Sequence, residues 1–489
     1  MRALILATMP ALLMAQAIPD RPEKTATPTL VFEAPKASEA KVKLKNGITA
    51  YLVADATAQP LVSLQVAIRG GAYLDPKGKE GLTSAWGAQL RQGGTRSLPA
   101  EKLDARLDFL AAQLNTYGGN EEAGLFLNLM EKDVKEGLAL ALEVLTQPAF
   151  AQDRLDLWKR NRLRALEQLN DDPAGIERYQ VGLLTYGADH YAARWPTAAA
   201  LQGLTREDLL AHHARMIHPE NLSISVGGRF DKTRMVQLLN ETFGALKAGP
   251  EAKKNGLPPA PTHTPKPGLY VVHKENPQGR VSFLLPGLKR NDPDWVTVEV
   301  MNFLLGGDFT SRLTYLIRTQ EGLSYTVNSR FSEGAWHPGS FRAVFQTKAR
   351  SVAYGCRLML GELKRMQEEP VTEAELAKAK GALINGFPAG FASPEAVAEL
   401  FLNEAYRGFS ETYHATYRDK VKAVTAADIQ RVARKYLPLG KLAILVVGDK
   451  DAVEAGDVKD KPGKLSEVAP LPVVELPLWD PMTCTPLKK

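Results

Sequence analysis

The chain has 489 residues, of which 44% are hydrophobic and 24% are charged, which is typical of a folded protein large enough for two or more domains. Its two cysteines exclude a disulfide framework, and no apolar run after the N-terminus approaches a transmembrane length. The formal charge of +6, without a dense run of lysine or arginine, argues against nucleic-acid binding and mildly favours acidic or extended peptide partners.

The N-terminus has the pattern of a signal peptide over residues 1–17. Arg2 supplies a basic start, a short apolar run follows, and the small residues Ala15 and Ala17 precede the expected cleavage point. Residues 18–40 are rich in Pro, Lys and Ala and predict an extended lead-in. We therefore expect an exported protein, either periplasmic or secreted.

Two stretches far apart in the chain repeat the same pattern of a capped helix followed by a strand. Residues 205–231 and 425–451 match at a constant spacing, with Thr as the helix N-cap and Asp three residues later. The matched pairs are Thr205 with Thr425, Asp208 with Asp428, Leu222 with Leu442, Ile224 with Ile444, Val226 with Val446, Gly228 with Gly448, and Asp231 with Asp451. These matches predict a duplicated domain.

The repeat sets the predicted domain boundaries. We expect homologous domains at 41–247 and 268–451, joined by a Pro-rich linker at 248–267. Asn46-Gly47 predicts a β-hairpin at the start of the first domain. The order of strands and helices predicts the α+β class, with each domain a mainly antiparallel sheet covered by helices on one face. The extended tail, 452–489, ends in a proline-rich strip that we expect to pack along a groove of this chain or of a partner.

The polar residues best placed for chemistry lie in residues 302–327, NFLLGGDFTSRLTYLIRTQEGLSYTV. A helix is predicted to end at Gly306-Gly307, and a second short helix carries Arg318 in its last turn. Tyr325 falls in a predicted strand after the turn at Gly322, where the alternation points it to the apolar face. Guanidinium and phenol are both donors that could hold a peptide carbonyl. Alternatively, Arg318 complements a helix C-terminus and Tyr325 fills a strand position.

The runs LLGG, SRL and LIRTQEGLSYTV resemble the C-terminal half of the pitrilysin/insulinase zinc peptidases. The resemblance covers roughly residues 40–451 and implies two domains that face each other like half of a clam shell. It also implies that Arg318 and Tyr325 reach over a catalytic cleft and hold substrate. Family members of this size work as dimers of two such chains.

The same resemblance locates the zinc site, and this chain lacks its ligands. Active members carry His-x-x-Glu-His on a helix, with a third ligand, a glutamate, on a later helix. The matching residues here are Ser84 and Ala88 for the histidines, Gly87 for the general base and Ala165 for the third ligand. Because three of the four have no ligand atom, we expect no metal in this chain and zinc in a partner subunit.

No other catalytic constellation is marked in the sequence. His212, His213 and His218 share one helix, but their spacing prevents all three from binding one ion, so we expect surface or half-buried histidines. Neither a Gly-x-Ser-x-Gly motif nor a phosphate-binding loop is present. Cys356 is expected to be buried, and its pairing with Cys484 is left open.

The first functional hypothesis is a non-catalytic subunit of an exported heterodimeric zinc peptidase that acts on short or unfolded peptides. Its homologous partner would carry His-x-x-Glu-His, and Arg318 and Tyr325 would act in the partner's site. The alternative is a zinc-free homodimeric peptide clamp or assembly scaffold without hydrolysis, and a third is a self-sufficient peptidase. Retention of both Arg318 and Tyr325 favours the first hypothesis.

Overall fold

The structure is a computed structural model that describes residues 31–248, 255–456 and 463–487. Within these residues, two six-stranded sheets form the framework of a single unit, Ala34–Lys489. The predicted signal peptide lies outside the described residues, as does most of the lead-in. No helix in the described part of the chain is long and apolar enough to cross a bilayer.

The first sheet has the strand order β1-β2-β6-β3-β5-β4. Its β2 and β6 run parallel, and the other neighbours are antiparallel. The predicted hairpin is confirmed, since β1 and β2 flank Asn46-Gly47 and Gly47 has a φ of 90°. The strands are β1 (Lys41–Lys43), β2 (Thr49–Ala54), β3 (Leu61–Arg69), β4 (Gln113–Gly118), β5 (Glu122–Met130) and β6 (Leu222–Gly228).

The second sheet repeats the first and has the order β12-β7-β11-β8-β10-β9. The pair β7 with β11 is parallel, as β2 with β6 is, and β8, β10 and β9 follow antiparallel. The edge strand differs, because β12 runs parallel to β7 whereas β1 is antiparallel to β2. Both capping boxes predicted by the repeat are present, with the threonines and aspartates bonded reciprocally. The duplicated α+β fold is therefore confirmed. The strands are β7 (Gly268–His273), β8 (Gln278–Pro286), β9 (Val327–Phe331), β10 (Ser340–Lys348), β11 (Ala443–Gly448) and β12 (Val473–Leu476).

Helices cover both faces of each sheet, not the single face expected from the sequence. The helices are α1 (Ala37–Ala40), α2 (Leu82–Gln92), α3 (Ala100–Phe109), α4 (Val134–Thr146), α5 (Gln152–Glu167), α6 (Pro173–Tyr186), α7 (Ala198–Gln202), α8 (Arg206–Met216), α9 (Lys232–Glu241), α10 (Trp295–Asn302), α11 (Val352–Glu368), α12 (Glu373–Gly386), α13 (Pro394–Arg407), α14 (Tyr413–Ala423), α15 (Ala426–Tyr436) and α16 (Lys450–Ala455).

The second face of each sheet is covered by a helix that comes from the other half of the chain. Helix α6, from the first half, packs on β8 and β11 of the second sheet, and α13, from the second half, packs on β2, β3 and β6 of the first. Ile176 is buried in the first contact, and Phe401 and Leu402 are buried in the second. The exchange explains why β11 is apolar on both faces.

The tail packs against its own chain. Strand β12 pairs in parallel with β7, and Trp479 lies beside Tyr179 of α6 with ring centroids 5.6 Å apart. A small hairpin, β13 (Trp479–Asp480) with β14 (Thr485–Pro486), ends the described tail. Cys356 is buried and Cys484 is partly exposed, and both are free thiols.

Candidate functional site

The segment that contains Arg318 is built from two π-helical turns. Helix α10 continues into Phe303–Gly307, and a second π-helical stretch spans Thr314–Gln320. Gly306 is required by close packing, because a Cβ there would lie 2.6 Å from the Ser329 hydroxyl and 2.7 Å from the Ser329 nitrogen. At Gly307 a Cβ would meet Asn302 at 2.8 Å. Gly306 therefore lets the helix end approach strand β9, and Gly307 lets the following turn approach Asn302 of α10.

The structure brings Arg318 and Tyr325 together and adds a third residue. The Arg318 guanidinium carbon lies 4.4 Å from the Tyr325 ring centroid and 4.3 Å from that of Phe309, so it is in contact with both rings. Tyr325 is 82% exposed and Phe309 is 66% exposed. We call Phe309, Arg318 and Tyr325 the arginine–aromatic cluster.

The predicted strand placement of Tyr325 is wrong. Strand β9 begins only at Val327, and the preceding residues are irregular. Ser324 is buried, and its hydroxyl donates to the Thr326 carbonyl and accepts from the Gln346 nitrogen. This inward turn of Ser324 leaves the neighbouring Tyr325 in solvent.

The polar atoms of the cluster are available to a ligand. Within residues 31–248, 255–456 and 463–487, no group hydrogen-bonds to the Arg318 guanidinium or the Tyr325 hydroxyl. Contact of the guanidinium with the rings leaves its N–H groups to donate in the plane, where they fit a carbonyl or carboxylate. Phe309 was missed in the sequence, where the only signal was its position nine residues before Arg318.

The four positions expected from the zinc site lie on two neighbouring helices. Ser84, Gly87 and Ala88 are on α2, and Ala165 is on α5, which packs beside it. Gly87 is in direct contact with β4, since a Cβ would lie 2.2 Å from the Gly118 nitrogen. The zinc ligands are absent from this chain, and no side chain fits at the general-base position without movement of the backbone.

Aromatic and polar residues fill the interior behind α2. Trp86 is fully buried with its ring centroid 5.3 Å from that of His212, and the Thr83 hydroxyl lies 3.2 Å from His212 Nε2. Burial lowers the pKa values of His212 and His213 to about 4. Burial also raises the pKa of Asp75 to about 6, although hydrogen bonds from Thr83 act in the opposite direction and lower it. Neutral buried histidines in ring contacts indicate a structural role.

The expectation of surface or half-buried histidines is therefore wrong for His212 and also for His218, which is 1% exposed. His218 lies against Asn221 Nδ2 at 2.9 Å, in the turn that leads into β6. Within the ranges that the structure covers, no group of three or more His, Cys, Asp or Glu side chains could hold a metal ion.

A second polar cluster joins the two halves of the chain and was not predicted. The Tyr191 hydroxyl donates to Glu121 at 2.6 Å and lies 3.2 Å from His337 Nε2, and His337 lies 3.6 Å from Glu121. The Glu121 carboxylate raises the pKa of His337. Burial opposes ionisation of Glu121, but hydrogen bonds from His337 and Tyr191 lower its pKa overall. An open cleft of about 590 Å³ lies beside this cluster.

Comparison with known proteins agrees with this geometry. Residues 203–383 match the family described as the peptidase M16 inactive domain. The chain is 26% identical over 396 residues to a Helicobacter pylori protein named non-peptidase homolog YmxG, covering 80% of this chain and 90% of that protein. Residues 203–383 thus resemble the inactive domain of the M16 peptidases. The resemblance to the pitrilysin/insulinase peptidases is thus confirmed.

Other M16 relatives differ in what their names say. An uncharacterized zinc protease of Mycobacterium tuberculosis is 25% identical, over 68% of this chain and 76% of its own. An M16 inactive domain from Pseudomonas fluorescens has the same fold, with a TM-score of 0.77 and 22% identity over 86% of this chain and 99% of that one. The periplasmic protease PqqL of Escherichia coli has a TM-score of 0.70 and 16% identity, over 92% of this chain and 49% of its own. The part of this chain that matches the family model, residues 203–383, is thus similar to a domain described as inactive.

Proposed function

We propose that this chain is the non-catalytic subunit of a two-chain zinc peptidase, in which the arginine–aromatic cluster acts in the partner's active site. The observation that carries the proposal is the contact of a half-buried Arg318 with an exposed Tyr325, neither with a side-chain hydrogen-bond partner in the described residues, in a chain that lacks zinc ligands. Exposed arginine and tyrosine side chains are the residue types that dominate binding interfaces. The partner would be a homologous chain that carries His-x-x-Glu-His and zinc.

The division of labour follows from the chemistry of the two chains. The partner's zinc would activate water. Arg318 would hold a substrate carbonyl or carboxylate through its N–H edge, and the Tyr325 hydroxyl would donate to the oxyanion that forms when water attacks. Phe309 is a positioning residue, because its ring contacts the guanidinium and limits its rotamers.

Reconstitution with the zinc-bearing partner tests the proposal. Tyr325→Phe removes one hydroxyl from a side chain that is 82% exposed, so the fold should be unaffected. If that hydroxyl is an oxyanion donor, turnover of the complex should fall by about 10- to 1,000-fold. The matched control is Tyr315→Phe, which removes the hydroxyl of a tyrosine that is 55% exposed on the same segment.

Equal turnover of the Tyr325→Phe and Tyr315→Phe complexes would contradict the role of Tyr325. Isolation of the native complex separates the alternatives. A zinc-bearing partner of similar size supports the proposal, whereas self-association alone supports a zinc-free peptide clamp or scaffold. Zinc bound to this chain alone would support a self-sufficient peptidase. It would contradict the inference that a chain without the zinc ligands binds no zinc.

We also propose that the protein is exported, on the basis of the signal-peptide pattern in residues 1–17. N-terminal sequencing of protein from the native source should find a start at Ile18. A start at Met1 would contradict export by this route.

A further inference from the structure

One face of the second sheet carries a row of cationic side chains. Along β10, the residues Phe341, Ala343 and Phe345 are buried against the helical layer, so Arg342 and Lys348 lie on the opposite face, the one that α6 covers in part. Arg280 of β8 lies on the same face, as does Arg330 of β9, which pairs in register with Arg342. We call Arg280, Arg330, Arg342 and Lys348 the cationic face.

A single carboxylate lies on this face. Glu177 of α6, which is 1% exposed, accepts hydrogen bonds from Arg280 and from Ser282, and lies 2.7 Å from Arg342 Nη2. Arg330 and Lys348 are exposed, and neither forms an ion pair within the described ranges. The four cations thus face one anion, and this leaves an excess of three positive charges.

The arrangement is unfavourable without a further anion beside Glu177. Arg330 and Arg342 stand directly opposite each other on neighbouring strands, where like charges destabilise a sheet. Both are arginines, whose planar guanidinium binds carboxylates with two parallel hydrogen bonds. The cationic face extends over the seven residues from Arg342 to Lys348, whose six steps span roughly 20 Å of extended chain.

The cationic face continues into the arginine–aromatic cluster. A groove of about 460 Å³ runs between Tyr325 and Lys348, and none of its lining residues is acidic. The amides of Gln278 and Gln346 lie along it and are hydrogen-bonded to each other at 2.6 Å. A ligand held at Arg318 could therefore extend along the sheet past Lys348 toward Arg330.

We propose that the cationic face binds acidic peptides, with aspartate or glutamate side chains spaced along about six extended residues. This inference rests on the proposed function, because it names the class of peptide that the subunit presents to its partner. Glutamates at alternate positions of an extended peptide project from one side about 7 Å apart, and this spacing suits the cationic face.

Peptide binding by the purified mature chain tests this inference without a partner or hydrolysis. The probes are fluorescein-labelled peptides of about eight residues that alternate alanine with glutamate, glutamine or lysine. Anisotropy should show the glutamate peptide binding at least about tenfold more tightly than the glutamine peptide, with affinity falling between about 50 and 300 mM salt. Arg330→Gln and Lys348→Gln should each weaken binding by about three- to tenfold.

Lys364→Gln is the matched control, because it removes one charge from an exposed residue of α11, on the other side of the sheet. It should leave binding of the glutamate peptide unchanged. Equal affinity for the glutamate and glutamine peptides, or an equal effect of Lys364→Gln and Lys348→Gln, would overturn the inference. Tighter binding of a single-stranded oligonucleotide through Arg330 and Lys348 would also overturn it. The proposed function is tested by a different experiment, because unchanged turnover of the Tyr325→Phe complex would contradict it whatever the peptide-binding result.

Discussion

The contact between Gly87 and β4 predicts that the lost general base cannot be restored by substitution alone. A Cβ at Gly87 would lie 2.2 Å from the Gly118 nitrogen and 2.4 Å from the Tyr117 carbonyl carbon, whereas carbon atoms prefer separations of about 3.5–4.0 Å. Both neighbours are main-chain atoms of β4, so relief requires helix and strand to separate. Gly118 has no side chain to remove, so no second substitution there would create space.

Gly87→Ala should therefore destabilise the protein. Overpacking of a core contact lowers the free energy of unfolding by about 1–3 kcal/mol. A clash with main-chain atoms belongs at the upper end of this range, because those atoms cannot rotate aside as a side chain can. Alanine recovers about 1 kcal/mol of helix propensity, which leaves a net loss of roughly 2 kcal/mol. Gly361→Ala is the matched control, since Gly361 lies in α11 with nothing within 4 Å of its added Cβ, and it should gain up to about 1 kcal/mol.

Scanning calorimetry of the two variants measures this difference. A shift of roughly 1 °C per kcal/mol is expected for a unit of this size, so the two unfolding temperatures should differ by about 3 °C. A variant with Ser84→His, Gly87→Glu, Ala88→His and Ala165→Glu should be destabilised and should retain no stoichiometric zinc after dialysis. One zinc per chain at wild-type stability, or equal unfolding temperatures for Gly87→Ala and Gly361→Ala, would refute the reasoning.

Two further predictions concern contacts between the halves of the chain. Because Glu121 raises the pKa of His337, the stabilisation from the His337 charge is complete below the unfolded pKa of about 6.5 and is lost as the pH rises through the folded value. The unfolding temperature of His337→Gln should thus lie further below that of the wild type at about pH 6 than at about pH 9. An equal difference in unfolding temperature at both pH values would contradict the ion pair. Trp479→Ala removes a half-buried ring beside Tyr179, so it should lower the free energy of unfolding by roughly 2 kcal/mol and speed proteolysis of the tail. The control Val474→Ala should lower it by less than about 0.5 kcal/mol. Equal proteolysis of both variants would show that the tail is not held by Trp479.

The sequence by itself determined the features that depend on neighbouring residues or on residue type. Asn46-Gly47 specifies its hairpin through backbone freedom, and Thr205 and Thr425 specify helix starts through reciprocal capping bonds. The duplicated strands followed from the repeat. The loss of zinc ligands at Ala88 and Ala165 also follows from residue type alone, since neither side chain has a donor atom.

Only the tertiary structure decided which faces and residues meet. Alternation along β10 shows that Arg342 and Lys348 share a face, but not that Arg330 of another strand lies opposite Arg342. Helices α6 and α13 likewise pack on strands that are far away in the chain. Phe309 contacts Arg318 across a turn. Such contacts depend on register and long-range packing, which a periodic pattern leaves undetermined because it fixes the orientation of a residue and not its partner.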